Sequence, residues 1–229
     1  MRRYSGQVLE TRLDAGRAAS AWLSCPADAV PPPGQYVLAW APDDAQAPLA
    51  TALFAAETSN LGFLAVPPLP PCWQPGTLLE LRGPLGRGFN LPAPIHRLAL
   101  AALGDTLARL MPLIPPSLAQ DVAVALFTDR PLPFAPPALE IYPVQDLPGA
   151  LAWADFLALD LPAGRLAGLR QDLHLKPDEV LPCPAQALIR TEMPCGGLAD
   201  CGVCALPAHR KWKLACKDGP VFDLRNLEW

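Results

Sequence analysis

Four cysteines near the carboxyl terminus have the residue type and the spacing to hold a metal centre. They are Cys195, Cys201, Cys204 and Cys216. Two of them form a Cys-x-x-Cys pair, with five residues between this pair and the first cysteine and eleven between the pair and the last. Gly196 and Gly197, in the first gap, give that loop the backbone freedom to wrap around such a centre. Because thiolates are soft ligands that favour iron–sulfur clusters and zinc, the spacing predicts a metal site on these four thiols.

Two kinds of metal centre are compatible with this spacing. A structural zinc site also takes four thiolates, but it usually combines two Cys-x-x-Cys units. One such unit with a single cysteine on either side is nearer to the C-x4-C-x2-C…C spacing of plant-type [2Fe-2S] proteins, with one extra residue in the first gap. We therefore predict a [2Fe-2S] cluster and retain structural zinc as the alternative. Asp200 could replace the first thiolate as a metal ligand, but we expect it to be a solvated loop carboxylate.

The other cysteines do not share this spacing. Cys25, Cys72 and Cys183 stand beside prolines or apolar residues, so we interpret them as buried or incidental thiols, with Cys183 as the only reserve ligand. The chain has seven cysteines, an odd number, and its start shows no apolar export signal, which argues against a disulfide framework. No spacing suggests a Ser/His/Asp or Cys/His arrangement, so no catalytic residue is predicted.

Composition excludes several classes of function. The formal net charge is −4, so the chain has no basic field to attract nucleic acid or an anionic membrane surface. No apolar run approaches the length of a membrane span, and we expect a cytoplasmic protein without a membrane partner. Apolar residues make up 51% of the chain, and its 30 prolines are spread through apolar sequence. This composition indicates globular structure with short strands and tight loops.

The pattern along the chain indicates three parts. Residues 1–92 contain about six short segments separated by turn residues, which is typical of a small β barrel. Residues 93–184 alternate strand and helix signals and predict a small parallel α/β domain. Residues 185–229 have too little apolar mass for a core of their own, so we expect this part to depend on the metal.

Several strings of residues, in their order along the chain, carry a resemblance to a known family. They are Pro33-Gly34-Gln35-Tyr36-Val37, Gly76-Thr77-Leu78, Gly83-Pro84-Leu85-Gly86-Arg87-Gly88-Phe89 and Cys216-Lys217-Asp218-Gly219-Pro220-Val221-Phe222. With them the chain resembles the iron–sulfur electron-transfer subunit of dihydroorotate dehydrogenase, which is similar in fold to ferredoxin reductases. The resemblance implies a barrel that binds FAD near Gly83, Gly86 and Gly88, an α/β domain that meets NADH, and a C-terminal [2Fe-2S] cluster. It also implies a catalytic partner subunit that contains FMN and serves pyrimidine biosynthesis.

The chain departs from the family pattern at both nucleotide sites. The family's phosphate-binding arginine has no counterpart in Pro48-Leu49-Ala50-Thr51-Ala52-Leu53-Phe54. Its phosphate loop is replaced by Val66-Pro67-Pro68-Leu69-Pro70-Pro71, where proline supplies no N–H. The run Ala101-Ala102-Leu103-Gly104-Asp105 keeps one of the family's three glycines, and Asp105 would repel a phosphate. We therefore predict that neither FAD nor NADH binds with useful affinity, in which case the three glycines near the flavin position serve only the turn.

The sequence thus predicts a ferredoxin-reductase-like fold: an N-terminal barrel, a small parallel α/β domain and a short iron–sulfur domain. The predicted function is electron transfer through a [2Fe-2S] cluster to or from a partner flavoprotein. One alternative is a scaffolding protein whose tail holds structural zinc and has no redox activity. The other is a complete reductase subunit that binds FAD and NADH through substituted contacts.

Overall fold

The computed structural model describes residues 2–13, 19–43, 49–66, 69–132, 135–209 and 211–229. The first part of the chain is a closed antiparallel barrel with the strand order β1-β2-β5-β4-β3-β6. Its strands are β1 (Arg3–Leu13), β2 (Ala19–Ser24), β3 (Tyr36–Trp40), β4 (Thr51–Ser59), β5 (Gly62–Val66) and β6 (Leu78–Leu85). Alternate side chains fill the interior, among them Val8, Val37, Leu53, Phe63 and Leu81, all fully buried. This alternation is what a sheet with one buried face requires.

The second part is a six-stranded sheet with the order β14-β11-β10-β7-β8-β9. Its strands are β7 (Arg97–Ala102), β8 (Ala123–Phe127), β9 (Leu139–Tyr142), β10 (Phe156–Pro162), β11 (Ala185–Arg190) and β14 (Val221–Asp223). The first five are parallel and β14 is antiparallel to β11. The central strands read as nearly continuous apolar runs because both of their faces are covered.

Only short helices connect the strands. They are α1 (Ile114–Leu118), α2 (Leu147–Ala150), α3 (Leu169–Asp172) and α4 (Ala215–Asp218). Turns of 3-10 helix lie at Ala27–Ala29, Met111–Leu113, Val144–Asp146, Ala163–Gly168 and Leu224–Asn226. None of the helices in the described ranges is long and apolar enough to cross a membrane.

The C-terminal segment leaves the sheet and then returns to it. The chain departs after β11, forms the hairpin of β12 (Ala205–Ala208) and β13 (Lys211–Leu214), and re-enters as β14 beside β11. Residues 185–190, which the sequence interpretation grouped with the C-terminal part, pair in parallel with β10 as a strand of the sheet. The boundaries 1–92, 93–184 and 185–229 remain predictions.

One buried cluster joins all three parts of the chain. It contains Tyr36 and Leu38 of the barrel, Leu159 of the sheet, and Leu206 and Cys216 of the C-terminal segment. A separate cluster covers the opposite face of the sheet, under the 3-10 turn and α1. Because the barrel and the sheet share a core with the C-terminal segment, their packing decides where the cysteines lie.

Candidate metal centre

The four cysteines lie on the segment that leaves the sheet after β11 and returns to it at β14. Cys195, Cys201 and Cys204 belong to the loop after β11, and Cys216 lies in α4, shortly before β14. Cys204 and Cys216 are buried, Cys195 is partly exposed and Cys201 is exposed. The cysteine loops therefore have one side against the shared core and one side, at Cys201, that faces solvent.

Positive φ angles curl the loop that carries the first three cysteines. Gly196, Gly197 and Gly202 have φ angles of 59°, 71° and 72°, and Ala199 has a φ of 66°. The left-handed region favours glycine and is uncommon for alanine, which has a Cβ. Residues with positive φ in a turn direct neighbouring N–H groups toward one side, which favours the binding of anions.

Backbone N–H groups converge on the sulfur of Cys195. Burial raises the pKa of this thiol, but N–H groups of Asp200, Cys201 and Leu198 and the Cys201 side chain outweigh burial and lower the pKa to about 6. At neutral pH this sulfur is mostly thiolate, which is the form that binds a metal. The Asp200 carboxylate is exposed, and the contribution of this residue to the site is its backbone N–H.

Cys204 and Cys216 form a second pair of thiols on the buried side. Burial, together with the hydrogen bond to Cys204, raises the pKa of Cys216 to about 12, while the Ala199 N–H lowers it in part. Deprotonating both thiols of a buried pair requires a compensating positive charge, which a metal centre supplies.

Cys195 forms a hydrogen bond with Cys201 and Cys216 forms one with Cys204, and the thiols of Cys195 and Cys216 also interact. Within the described part of the chain, no three His, Cys, Asp or Glu side chains converge closely enough to hold a single metal ion. A binuclear centre takes two thiolates on each metal, whereas one zinc ion draws all four into a tetrahedron. Four thiols on one segment are donors that suit a [2Fe-2S] cluster or a structural zinc ion.

Two barrel residues contact the cysteine loops from the core side. The Tyr36 hydroxyl donates a hydrogen bond of 2.9 Å to the backbone carbonyl of Cys216. Burial raises the pKa of that hydroxyl above its ordinary value, and the nearby thiols of Cys216 and Cys204 raise it further. Arg82, on β6, donates from Nη2 to the backbone carbonyl of Gly196. The barrel thus fixes both ends of the cysteine segment.

The glycine string on the barrel packs against the C-terminal segment. The Arg87 N–H donates a 2.6 Å hydrogen bond to the Gly219 carbonyl, and the Val221 N–H donates to the Arg87 carbonyl at 3.3 Å. A Cβ at Gly86, where φ is +74°, would lie 2.5 Å from the Gly219 carbonyl oxygen. Glycine at this position is therefore required by the approach of the tail. Flavin binding near Gly83, Gly86 and Gly88 remains a prediction.

A cleft of about 840 Å³ opens between β4, the carboxyl edge of the sheet and the cysteine loop. Its barrel wall includes Ala50, Thr51 and Phe54, and its sheet wall includes Arg109 and Arg190. Pro48, Pro67 and Pro68, three of the residues at which the family pattern is lost, lie outside the described residues. The described barrel wall contributes no cation to the cleft.

Both arginines of the cleft are engaged with carboxylates. Asp160 is fully buried and accepts from Arg109 Nε at 3.1 Å and from Arg190 Nε at 3.0 Å. Asp105 lies 2.7 Å from Arg190 Nη1. A Cβ at Gly104 would collide with the Arg190 guanidinium, so the space that this glycine leaves is taken by arginine rather than by a nucleotide. A buried charge is stable only when it is paired in this way.

The remaining sequence candidates lie away from the four thiols. Cys183 is buried at the amino edge of the sheet, near Asp155, whereas the cysteine loop leaves the carboxyl edge. Cys25 and Cys72 pack against the barrel core. Among the described cysteines, Cys195, Cys201, Cys204 and Cys216 interact with one another, and their role as metal ligands remains a prediction.

Sequence reasoning missed Arg82 and the ion network around Asp160. The alternation in β6, with Leu79 and Leu81 inside the barrel, indicates that Arg82 points outward, but it does not indicate which segment lies there. Asp160 interrupts the apolar run of β10. A carboxylate in a buried strand is almost always paired, and this was the signal in the sequence that could have predicted an ion pair.

The C-terminal segment matches a known family by sequence. Residues 191–228 match the family described as the iron–sulfur cluster binding domain of dihydroorotate dehydrogenase B. No curated protein matches the chain. The match contains all four cysteines and both strands of the hairpin.

Solved structures share the fold over 77–98% of the chain. The NADH-dependent reduced ferredoxin-NADP oxidoreductase superposes with a TM-score of 0.75 at 19% identity, covering 98% of this chain and 90% of that one. The ferredoxin reductase in carbazole 1,9a-dioxygenase gives a TM-score of 0.58 at 20% identity over 77% of this chain and 65% of that one. An Amycolatopsis cytochrome P450 reductase gives a TM-score of 0.56 at 16% identity, over 77% of this chain and 67% of that one.

These similarities confirm the predicted fold class. The superposition with the first of these reductases covers 98% of this chain, which includes its closed six-stranded barrel and its mainly parallel sheet. They also confirm the resemblance drawn from the glycine strings and the cysteine spacing. The chain combines a ferredoxin-reductase-like fold with a C-terminal segment similar to the iron–sulfur cluster binding domain of dihydroorotate dehydrogenase B.

Proposed function

We propose that this protein is an electron-transfer subunit whose working centre is a [2Fe-2S] cluster held by Cys195, Cys201, Cys204 and Cys216. The observation that carries the proposal is the clustering of four interacting thiols on a segment similar to an iron–sulfur cluster binding domain. When bound, the cluster supplies one-electron chemistry. The thiolates hold the iron, and no side chain of this chain is assigned an acid or base role.

The loop supplies the hydrogen-bond donors that such a centre needs. N–H groups of Leu198, Asp200 and Cys201 point to the Cys195 sulfur, and the N–H of Ala199 points to Cys216. Hydrogen bonds to the sulfurs stabilise the more negative, reduced state and so raise the reduction potential. The buried pair is shielded by the shared core, which limits access of water to the centre.

Electrons are proposed to enter and leave through a second protein. Cys201 is exposed, and the neighbouring side chains Leu198 and Val203 are 58% and 57% exposed. Exposed apolar side chains beside a redox centre suit a protein contact that brings another cofactor near. By the family similarity, we propose a catalytic flavoprotein of the dihydroorotate dehydrogenase type, containing FMN, as the partner and a role in pyrimidine biosynthesis.

We further propose that the subunit lacks tight FAD and NADH sites. Arg109 and Arg190, which line the cleft, are paired with Asp160 and Asp105, so a diphosphate would have to displace those carboxylates. The specific observation that favours the complete-reductase alternative is the cleft itself, because about 840 Å³ is within the range of pockets that hold organic cofactors.

Metal analysis of the intact protein tests the proposal. After anaerobic purification we expect two irons and two acid-labile sulfides per chain, a brown protein, and an electron paramagnetic resonance signal after reduction with dithionite. One zinc per chain without sulfide would overturn the cluster assignment and support the scaffolding alternative. Stoichiometric FAD in the same sample would support the complete reductase. Co-purification with a flavoprotein that exchanges electrons with the cluster tests the partner.

A further inference from the structure

We propose that Arg82 is a positioning residue that holds the first cysteine loop and raises the reduction potential of the centre. This inference rests on the proposed iron–sulfur function. Arg82 is a barrel residue, 114 positions from the loop that it contacts, and neither the cysteine spacing nor the glycine strings include it.

The geometry places the Arg82 guanidinium against the backbone next to Cys195. Its Nη2 donates to the Gly196 carbonyl. A Cβ built on Gly196 would lie 3.6 Å from the same nitrogen, and one built on Gly197 would lie 3.9 Å from it. Both glycines have positive φ, so the arginine packs over the turn that lets the loop curl around the thiols.

One donor of this arginine has no acceptor within the described residues. The Nε atom of Arg82 is buried and makes no hydrogen bond there. A buried N–H donor of a charged group without an acceptor is unfavourable, because the group has lost its hydrogen bonds to water. An anionic group at the cysteine loops, such as a thiolate or a sulfide of the centre, would satisfy this donor.

Among the described residues, no carboxylate forms an ion pair with Arg82, whereas Arg109 and Arg190 each contact a buried aspartate. The Arg82 guanidinium lies against the backbone of the first cysteine loop, so the centre proposed there would lie near an unneutralised positive charge. Since reduction adds negative charge to the centre, a nearby cation stabilises the reduced state more than the oxidised state.

Redox titration of iron-loaded variants tests the role of Arg82. Arg82→Met removes the charge and the donors, Arg82→Gln keeps a donor without charge, and Arg82→Lys keeps the charge. Arg3→Met is the matched control, because Arg3 is the cross-strand partner of Arg82 on β1 but is exposed. Iron and sulfide content and circular dichroism are measured on every sample.

We expect Arg82→Met and Arg82→Gln to lower the ratio of reduced to oxidised centre about tenfold at a fixed ambient potential. For a one-electron couple this is a shift of about 59 mV to more negative potential. Arg82→Lys should keep a reduction potential close to that of the wild type. Arg3→Met should change the ratio less than twofold, because the charge of exposed Arg3 is screened by solvent.

Each other outcome overturns one specific claim. Wild-type potential in Arg82→Met or Arg82→Gln with full iron content would refute the role of Arg82 and leave the cluster assignment intact. An equal shift in Arg3→Met would show a general charge effect rather than a contact. If Arg82→Met does not fold, Arg82→Gln and Arg82→Lys decide between charge and packing, since a packing role alone predicts equal potentials. Absence of iron from the wild-type protein would instead overturn the proposed function.

Discussion

The Tyr36 hydroxyl donates a 2.9 Å hydrogen bond to the backbone carbonyl of Cys216, across 180 positions of the chain. Tyr36 is the first residue of the barrel strand β3, which follows a turn at Gly34, and Cys216 is the last of the four cysteines. The contact is buried, and it ties the position of one thiol pair to the barrel. The barrel is therefore part of the candidate metal centre, although it supplies none of the proposed ligands.

Loss of this hydrogen bond should loosen the centre. Tyr36→Phe leaves the Cys216 carbonyl without its donor, and we expect the free energy of unfolding to fall by about 1 kcal/mol. Iron should also be released to a chelator faster than from the wild type. The control is Tyr142→Phe, whose hydroxyl bonds the exposed Glu140, and whose effect should stay within about 0.5 kcal/mol. Equal iron release from Tyr36→Phe and wild type would argue against a holding role.

Single cysteine replacements should separate the ligands from the other thiols. Replacing any one of Cys195, Cys201, Cys204 or Cys216 by serine should remove or damage the cluster, because a serine alkoxide is a harder and less acidic donor than a thiolate. Cys25→Ser and Cys72→Ser, in the barrel, should keep full iron and sulfide content. Retention of both iron and sulfide in Cys216→Ser would defeat the assignment.

Metal removal should unfold the segment between β11 and β14 and leave the sheet folded. Residues 191–220 depend on the centre, whereas β14 pairs with β11 independently of it. Limited proteolysis of the metal-free protein should therefore cut in the loop around residues 194–204 and leave the barrel and sheet resistant. The metal-loaded protein, digested in parallel, is the control. Equal resistance of both forms would show that the loop is stable without metal.

Asp155 should stabilise the fold in a defined range of pH. The Arg97 side chain and the backbone N–H of His96 hold the pKa of this carboxyl at about 2. A folded-state pKa below the unfolded value, near 3.9, means that the stabilisation is full well above pH 4 and is lost as pH falls toward 2.

Urea unfolding at several pH values tests this dependence. Asp155→Asn should be less stable than the wild type at pH 6, and the difference should shrink below pH 4 and vanish near pH 2. Asp178→Asn, a replacement of a carboxylate on the exposed surface, is the control and should show no such trend. A difference that does not change with pH would mean that the charge of Asp155 is not involved.

The purified chain should bind neither FAD nor NADH at micromolar concentration. The described barrel wall of the cleft has no cation, and Arg109 and Arg190 are paired with carboxylates. Loss of two charged hydrogen bonds, each worth about 1.5–3 kcal/mol, weakens binding by two to four orders of magnitude. Flavin fluorescence during FAD titration and the absorbance of the cluster after addition of NADH are the measurements. Stoichiometric quenching or prompt bleaching would show that other contacts replace the lost ones.

The amino-acid sequence by itself determined the features that depend on residues close to one another along the chain. The spacing of Cys195, Cys201 and Cys204 and the glycines between them predict a loop that curls around thiols, and the φ angles of Gly196 and Gly197 have the required sign. Alternating and continuous apolar runs predict the barrel and the parallel sheet for the same reason, since strand periodicity is local. Periodicity therefore predicted a barrel and a parallel sheet, and the family resemblance of the glycine and cysteine strings implied the ferredoxin-reductase-like fold.

Only the tertiary structure decided what surrounds the thiols. The pairing of Cys204 with Cys216, the contact of Arg82 with Gly196 and the burial of Asp160 between two arginines all join residues that are far apart in sequence. The strand at 185–190 also joins the sheet through its pairing with β10, which no local pattern encodes. Such contacts depend on how the barrel packs against the sheet, because side-chain periodicity specifies which face is buried but not which segment covers it.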